Sequence, residues 1–165
     1  YVYTEQLVTN PFPVTLSVWF CTETISGGRM LGLSDSMSDM SEHKDRHLYM
    51  DRAGRVCFGV YDTNEVKTTI RARQSLNDGE WHHAAATFSS NGMVLYLDGV
   101  LSATNAAVKS SFAYTGYWRA GYDTMNQWAG EPDSYSFHGL MDDVRIYNRE
   151  LSVDEILALS REERP

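Results

Sequence analysis

Aromatic rings, amides and carboxylates are concentrated between Gly116 and Gly139, and together they have the chemistry of a sugar-binding surface. A ring face packs on the C–H face of a sugar, while Asp, Asn and Gln side chains hydrogen-bond its hydroxyl groups. Strand alternation places Trp118 inward, whereas a long loop over residues 122–134 is free to bind. The alternative is that Trp128 covers the end of the sheets and pins this loop. The candidate ligand-binding residues are Trp128, Tyr122, Asp123, Asn126, Gln127 and Tyr135.

The run Met141-Asp142-Asp143-Val144 breaks strand alternation, because Met141 and Val144 both suit the inward face with two residues between them. A β-bulge at the aspartate pair is therefore predicted. A carboxylate turned toward a sheet edge needs a cation or backbone N–H groups. Since calcium takes about six to eight oxygen ligands, Asp142 is a candidate calcium ligand. The alternative is that Asp142 accepts backbone hydrogen bonds and that Asp143 is solvated.

A second acidic segment, residues 34–47, has the composition of a loop. Its carboxylates could form a second cation site, with Asp35 and Asp39 as candidate ligands, or the rim of a binding site shared with the 122–134 loop. The spacing is not that of an EF-hand. The alternative is a solvated, mobile loop, in which Asp45 and Arg46 form an ion pair or turn at the entrance of the next strand.

Catalytic residue patterns are missing from the sequence. His82 and His83 lie in a strand-like run whose neighbouring side chains face opposite sides, so one is expected to be buried and hydrogen-bonded and the other exposed. No G-x-S-x-G nucleophile elbow is present. Glycoside hydrolysis needs two carboxylates that flank one bond, and no strand-like run carries acids at suitable spacing. We therefore expect a protein that is not an enzyme.

The 165-residue chain has the composition of a globular domain, with 42% hydrophobic and 22% charged residues. Its net charge of -8 argues against binding nucleic acid or anionic membranes, since phosphate binding needs clustered Lys and Arg. No apolar run approaches the ~18 residues of a membrane span. Cys21 and Cys57 can form a disulfide if the protein is exported, and are otherwise typical buried thiols.

Short strands separated by turns account for nearly the whole chain. Asn91-Gly92 and Asp98-Gly99 are strong hairpin signals, because both pairs tolerate the positive φ of a type I′ turn. About ten to twelve strands at this spacing predict an all-β fold, a two-sheet antiparallel sandwich or jelly roll. On the first long strand the inward residues are Val14, Leu16, Val18 and Phe20.

One short helix is predicted near the C-terminus. Ser152 and Glu155 have the spacing of a capping box, and Leu151 and Ile156 occupy the positions of a hydrophobic staple. The final residues, REERP, are expected to be a solvated charged tail or the start of a linker.

Two stretches, DGEWHHAAATFSSNGMVLYLDG and FHGLMDDVRIYNRELSVDEI, resemble the laminin-G-like domains of the concanavalin A-like lectin/glucanase superfamily. The matching motifs are W-H-H at Trp81, L-Y-x-D-G ending at Gly99, and the run from Gly139 to Ser152. The resemblance extends over roughly residues 12–160. It implies a concanavalin A-like jelly roll, whose relatives bind glycans, proteins or calcium or act as spacers. In related folds a residue placed like Asp142 often helps to hold calcium.

These observations predict a single laminin-G-like domain over residues 1–165, cut from a larger multidomain bacterial protein that is secreted or lies at the cell surface. The expected function is non-catalytic recognition, as carbohydrate binding or adhesion, with calcium as the candidate cofactor. The expected partners are a glycan or surface protein and the neighbouring domains, with no nucleic acid and no membrane insertion. One alternative is an architectural or protein-binding domain, and another is a glycan-active enzyme with an unrecognised acid pair.

Overall fold

Two antiparallel β-sheets packed face to face form the structure, a computed structural model that describes residues 1–162. Its elements are β1 (Val2–Tyr3), β2 (Val8–Thr9), β3 (Val14–Cys21), β4 (Gly28–Ser34), β5 (Lys44–Met50), β6 (Val56–Tyr61), β7 (Lys67–Arg71), β8 (Trp81–Ser89), β9 (Gly92–Leu97), β10 (Val100–Asn105), β11 (Thr115–Ala120), β12 (Leu140–Tyr147) and α1 (Val153–Leu159). The predicted all-β sandwich with one short C-terminal helix is confirmed. Residues 163–165, which belong to the expected solvated tail, lie outside the described residues.

The seven-stranded sheet has the order β1-β11-β4-β5-β6-β7, with β2 also paired to β11. The five-stranded sheet has the order β10-β9-β8-β3-β12. Because the first strands of the chain pair with β11, the N-terminus lies beside the segment that follows β11. This pairing positions the candidate site described below.

The core between the sheets is built from alternate residues of the strands. The four inward residues predicted on β3 are all buried there, from Val14 to Phe20. Trp118 and Phe137 also belong to this core, as expected. Burial of apolar side chains of this size stabilises the fold by ~1.5–3 kcal/mol each.

The outer face of the five-stranded sheet is covered by α1. The Ser152 side chain accepts a hydrogen bond from Glu155 N, and the Glu155 side chain accepts one from Ser152 N, so the predicted capping box is present. Leu151 and Ile156 are both buried between α1 and the five-stranded sheet, as the staple requires. The same face holds His83, which is buried and lies 2.8 Å from Ser17 Oγ.

The hairpin turns match their sequence signals in one place and shift by a residue in another. Asp98 and Gly99 have φ values of 50° and 78°, the left-handed conformation that a type I′ turn needs. The preceding turn lies at Ser90 and Asn91, because β9 already begins at Gly92. Gly92 itself has a φ of 109°, so the glycine is still needed there.

The outer face of the seven-stranded sheet is covered by residues 122–136, which we call the cover loop. A backbone bridge between Tyr122 and Ser136 closes the loop at its base. Its Met125 and Trp128 pack on Tyr49 and other residues of β5 and β6. The long loop expected from the sequence is therefore present, and it lies flat on a sheet.

The strand β5 begins at Lys44, three residues before the HLYMD run that suggested it. Residues 44–47 are consequently buried, and the expectation that they belong to a solvated loop is wrong. The expected ion pair is formed: Arg46 Nε lies 3.1 Å from Asp45 Oδ1, and both side chains are fully buried. Asp45 also accepts hydrogen bonds from Tyr61 N and the Tyr114 hydroxyl, which offset the cost of burying its charge.

The two cysteines are both free. Cys21 ends β3 in the five-stranded sheet, whereas Cys57 faces the cover loop from β6, so the disulfide that export would permit is not formed. Among residues 1–162, no helix is long and apolar enough to cross a membrane.

Candidate functional site

Trp128, the main ring predicted to stack on a sugar, is buried and only 2% exposed. Its ring centroid lies 4.3 Å from that of His47 and 5.1 Å from that of Tyr61. Gly59 leaves room for this packing, because a Cβ at that position would lie 2.7 Å from Trp128 Cζ3. The expectation of an exposed ring is wrong, and the alternative is correct: Trp128 pins the cover loop to the sheet.

Asp123, a second predicted ligand residue, is also buried and serves the fold. Its Oδ2 lies 2.7 Å from Arg29 Nη1 and accepts a hydrogen bond from Ser34 Oγ, while its Oδ1 accepts one from Ser41 N. Burial alone raises the pKa of Asp123, but Arg29 and these hydrogen bonds outweigh it and hold the pKa below its ordinary value. Both oxygens are occupied, so Asp123 is not placed to bind a sugar hydroxyl.

The remaining predicted ligand residues are on the surface but far apart along the cover loop. Asn126 and Gln127 are exposed beside Lys67, whose Nζ donates to the Asn126 carbonyl at 3.0 Å. Tyr135 is half-buried, and its hydroxyl donates to Glu131 Oε1 at 3.2 Å. Tyr122 lies at the base of the loop next to the N-terminus. The structure therefore does not gather the six predicted residues into one site.

Tyr122 instead forms a cluster with Tyr1 and Tyr3 at the N-terminus. We call these three residues the tyrosine platform. The ring centroids of Tyr1 and Tyr122 lie 5.5 Å apart, and those of Tyr1 and Tyr3 lie 6.4 Å apart. Tyr1 is 60% exposed and Tyr3 is 47% exposed. Because Tyr3 pairs with Arg119 on β11, all three rings sit over the outer side of the sheet edge.

The two loops predicted to share a site meet directly beside this platform. Arg119 donates from Nη1 to the carbonyl oxygens of Ser36 and Asp39, at 3.1 and 2.7 Å. The Tyr1 hydroxyl donates to the Ser38 carbonyl at 3.2 Å. The surface thus combines exposed rings with hydroxyl, carbonyl and carboxylate groups, which is the combination that sugar binding needs.

A shallow cleft beside residues 131–135 of the cover loop contains two carboxylates. Its open space is about 530 Å³, and its lining residues are Arg52, Glu131, Pro132, Asp133 and Tyr135. Glu131 accepts hydrogen bonds from Gln127 N and the Tyr135 hydroxyl, and Asp133 faces Arg52 at 3.5 Å. Both acids are therefore already in contact with neighbouring groups of the same surface.

The three predicted calcium ligands do not converge. Asp35 follows β4 in the seven-stranded sheet and accepts hydrogen bonds from Glu42 N and His43 N. Asp142 lies on β12 in the other sheet, and its Oδ1 accepts from Asp143 N. The predicted bulge is confirmed, since the register of β12 shifts between Asp142 and Arg145. In the part of the chain that the structure describes, no three Asp, Glu, His or Cys side chains form a group suited to a metal ion.

Tyr1, Tyr3 and Arg119 were not among the site residues predicted from the sequence. A signal existed in the opening letters YVY, because residues two apart in a strand share a face. It could not be interpreted without knowing that this segment pairs with β11. Only the pairing places the two rings next to Tyr122.

A family model described as the concanavalin A-like lectin/glucanases superfamily, of the laminin G type, matches residues 1–157. Among solved structures, the chain is similar to the carbohydrate-binding module CBM40 of the Ruminococcus gnavus IT-sialidase bound to α2,3-sialyllactose. That match has a TM-score of 0.68 and 20% identity and covers 97% of each chain. No curated protein sequence matches the chain.

Two further structures show the same fold. The chain is similar to a heptameric SAP-like pentraxin from Limulus polyphemus, with a TM-score of 0.68 and 15% identity over 96% of this chain and 74% of the other. It is also similar to domains LG4-5 of the mouse laminin α1 chain, with a TM-score of 0.61 and 21% identity over 88% of this chain and 38% of the other. At these identities the likeness establishes the jelly-roll fold.

Proposed function

The chain belongs to the laminin G type of the concanavalin A-like lectin/glucanases superfamily, and on that premise we propose that it is a non-catalytic, extracellular carbohydrate-binding module. The proposed site is the tyrosine platform together with the adjoining 35–43 loop. The cover loop contributes Tyr122 to this site, and its other residues cover the outer face of the seven-stranded sheet.

The observation that carries the proposal is the cluster of three tyrosine rings at the surface. Large aromatic side chains usually bury most of their area, so two exposed rings beside a half-buried third, Tyr122, indicate a surface available to a ligand. The rings adjoin Ser38 and Asp39, which are both exposed and offer hydrogen-bonding groups to sugar hydroxyls. The likeness to a CBM40 module bound to sialyllactose supports the same class of ligand.

Calcium does not take part in this proposal. The carboxylate of Asp35 is already bound to two backbone N–H groups and to His43. Asp142 lies in the opposite sheet, where its neighbour Asp143 pairs with Arg145 at 3.1 Å. These donor sets do not fit an ion that takes about six to eight oxygen ligands.

A protein-binding role is the second candidate, and one surface favours it. A groove runs between the N-terminal segment and β12, and its lining includes Val2, Trp118, Val144 and Ile146. Val2 and Val144 are both exposed. Apolar side chains that line an open groove suit contact with a neighbouring domain or surface protein.

A glycan array tests the proposed function directly. The wild-type chain is compared with Tyr3→Ala/Tyr122→Ala, and Trp128→Phe serves as the matched control for loss of aromatic mass away from the platform. We expect binding by the wild type and the control, and loss of at least about tenfold in the double variant, since stacked rings commonly dominate binding. Absence of any bound saccharide, or full binding by the double variant, would overturn the proposal.

A further inference from the structure

We propose that the tyrosine platform selects an acidic saccharide, and that Arg119 beneath the rings receives the carboxylate or sulfate of that saccharide. This inference rests on the proposed function and names the class of its ligand. It follows from the hydrogen bonding of one buried guanidinium group.

Arg119 is fully buried and makes its hydrogen bonds with one nitrogen. Nη1 donates to the carbonyls of Ser36 and Asp39 and to Ser41 Oγ, and it lies 3.4 Å from Asp123 Oδ2. The other two nitrogens, Nε and Nη2, are buried without a hydrogen-bond partner. A buried donor without a partner is destabilising, and more so when it is charged, so this edge of the guanidinium is stabilised by any acceptor that reaches it.

The unpartnered edge has the geometry that binds carboxylate or sulfate. Nε–H and one N–H of Nη2 point the same way from the planar guanidinium, and together they match two oxygens of one anionic group. A neutral sugar hydroxyl offers one oxygen and no charge, so it does not form the two parallel charge-assisted bonds that a carboxylate or sulfate forms. The edge therefore discriminates in favour of a charged substituent.

Two tyrosine rings of the platform lie close to this guanidinium group. The guanidinium carbon lies 5.2 Å from the ring centroid of Tyr1 and 5.7 Å from that of Tyr122, so both rings stack on the cation. Tyr1 is the more exposed of the two rings, and its hydroxyl makes one hydrogen bond, to Ser38 O. Rotation of this one side chain gives an anionic group access to Arg119.

The buried charges around Arg119 favour an anion as well. Asp123 is the carboxylate shared by Arg29 and Arg119, at 2.7 and 3.4 Å. Lys44 is also buried nearby, and its Nζ donates to the Ser41 carbonyl. Three cations thus face one buried carboxylate, which leaves local positive charge in a chain of net charge -8. Of the acids in the 35–43 loop, Asp39 contacts Arg119 through its backbone carbonyl and is exposed, and Asp35 is turned to the N–H groups of Glu42 and His43.

The test compares matched acidic and neutral saccharides by isothermal titration calorimetry. The probes are α2,3-sialyllactose and 3′-sulfolactose against lactose, and polygalacturonate against its methyl ester. We expect the acidic member of at least one pair to bind the wild-type chain at least about tenfold more tightly, and the difference to shrink when NaCl is raised from 50 to 500 mM.

Arg119→Lys separates the role of the bidentate edge from that of charge alone. It should lower the ratio of acidic to neutral affinity at least about tenfold, with folding checked by circular dichroism. Tyr1→Ala, a change at an exposed residue that does not endanger folding, should keep or increase the ratio of acidic to neutral binding because it uncovers Arg119.

Equal binding of acidic and neutral members overturns this inference and leaves the proposed function standing. An acidic preference that persists in Arg119→Lys also overturns it, because the anion must then be bound elsewhere. If no saccharide binds in these titrations or on the array, the proposed function fails and this inference fails with it.

Discussion

Trp128 shows how a residue with the right chemistry for one role can be held in another. The indole ring suits sugar stacking, but it fills the space between the cover loop and β5 and β6. Its Nε1 is buried without a hydrogen-bond partner, so apolar packing dominates its contribution. Because the ring is buried, we expect Trp128 to stabilise the fold. A measurement of the free energy of unfolding distinguishes this role from sugar stacking.

We expect Trp128→Ala to lower the free energy of unfolding by ~3–5 kcal/mol, because it removes a large buried ring and leaves a cavity. The milder Trp128→Phe should cost less and keep glycan binding at the platform. Chemical denaturation followed by circular dichroism measures both. Normal stability combined with loss of glycan binding would show that Trp128 contacts the ligand.

Two buried histidines should make the fold sensitive to mild acid. Burial lowers the pKa of His83 to about 4 and that of His47 well below its ordinary value, and Arg29 and Lys44 add to the effect at His47. His47 also faces the rings of Tyr49 and Trp128. Neither of its ring nitrogens has a hydrogen-bond partner. Both imidazoles are therefore neutral in the folded state at neutral pH.

The unfolded chain binds protons at histidine below a pH of about 6.5, while the folded chain does not until lower pH. Stability is therefore complete above pH 6.5 and falls as the pH drops toward 4, by up to about 1.4 kcal/mol per pH unit for each histidine. Denaturation midpoints of the wild type and His83→Gln at pH 7, 6 and 5 measure this slope. The variant should lose less stability than the wild type, and identical slopes would contradict the account of His83.

At the scale of elements, the strands were predictable wherever turn chemistry marks their ends. Asp98 and Gly99 place the β9–β10 hairpin without any tertiary information, because few residues accept their positive φ values. The capping box at Ser152 likewise marks the start of α1. Both signals depend only on residues that are close together in the sequence, so the turn and the helix start can be predicted without knowing the tertiary fold.

The covered outer face of the seven-stranded sheet was not predicted, although a signal for it exists. In β5 and β6 the residues between the core positions are themselves apolar, such as Tyr49 and Cys57 beside Leu48 and Phe58. Apolar runs without alternation are typical of strands buried on both faces. The start of β5 at Lys44 could not be predicted, because its buried charges depend on partners such as Tyr114 that are distant in sequence.

The two loops predicted to share a site are in contact, and the site itself stays a prediction. The meeting of the 122–134 and 34–45 loops follows from Asp123, whose Oδ1 binds Ser41 N. Tyr122 remains at the proposed surface, whereas Asp123 and Trp128 are used to hold the loops together. Sequence composition identifies residues suited to sugars, but only the pairing of β1 with β11 shows which of them face solvent.

The helix α1 provides an element-scale test of the local signals. Ser152→Ala removes the side-chain oxygen that accepts from Glu155 N, and we expect it to lower the free energy of unfolding by ~1 kcal/mol. Ser152→Asp should retain most of the stability, because Asp is an equally good N-cap residue. Thermal melts of the three proteins give the comparison, and an unchanged alanine variant would mean that packing alone holds the helix.

At the scale of the whole molecule, both outer faces of the sandwich are largely covered, by α1 on one sheet and the cover loop on the other. This arrangement concentrates the accessible aromatic surface at one edge of the seven-stranded sheet, where the N-terminal segment and two loops meet. A binding surface on a rigid sheet edge needs little rearrangement to take a ligand. The proposed function therefore depends on one surface, the tyrosine platform with the 35–43 loop.

Chemical-shift mapping of the ¹⁵N-labelled chain with the tightest saccharide from the array tests that claim most directly. We predict that the largest changes occur at Tyr3, at Tyr122 and in residues 35–43, with little change at Glu131 or Asp133 in the cleft beside Arg52. The largest changes in that cleft, or along the groove beside β12, would contradict the assignment of the site to the tyrosine platform.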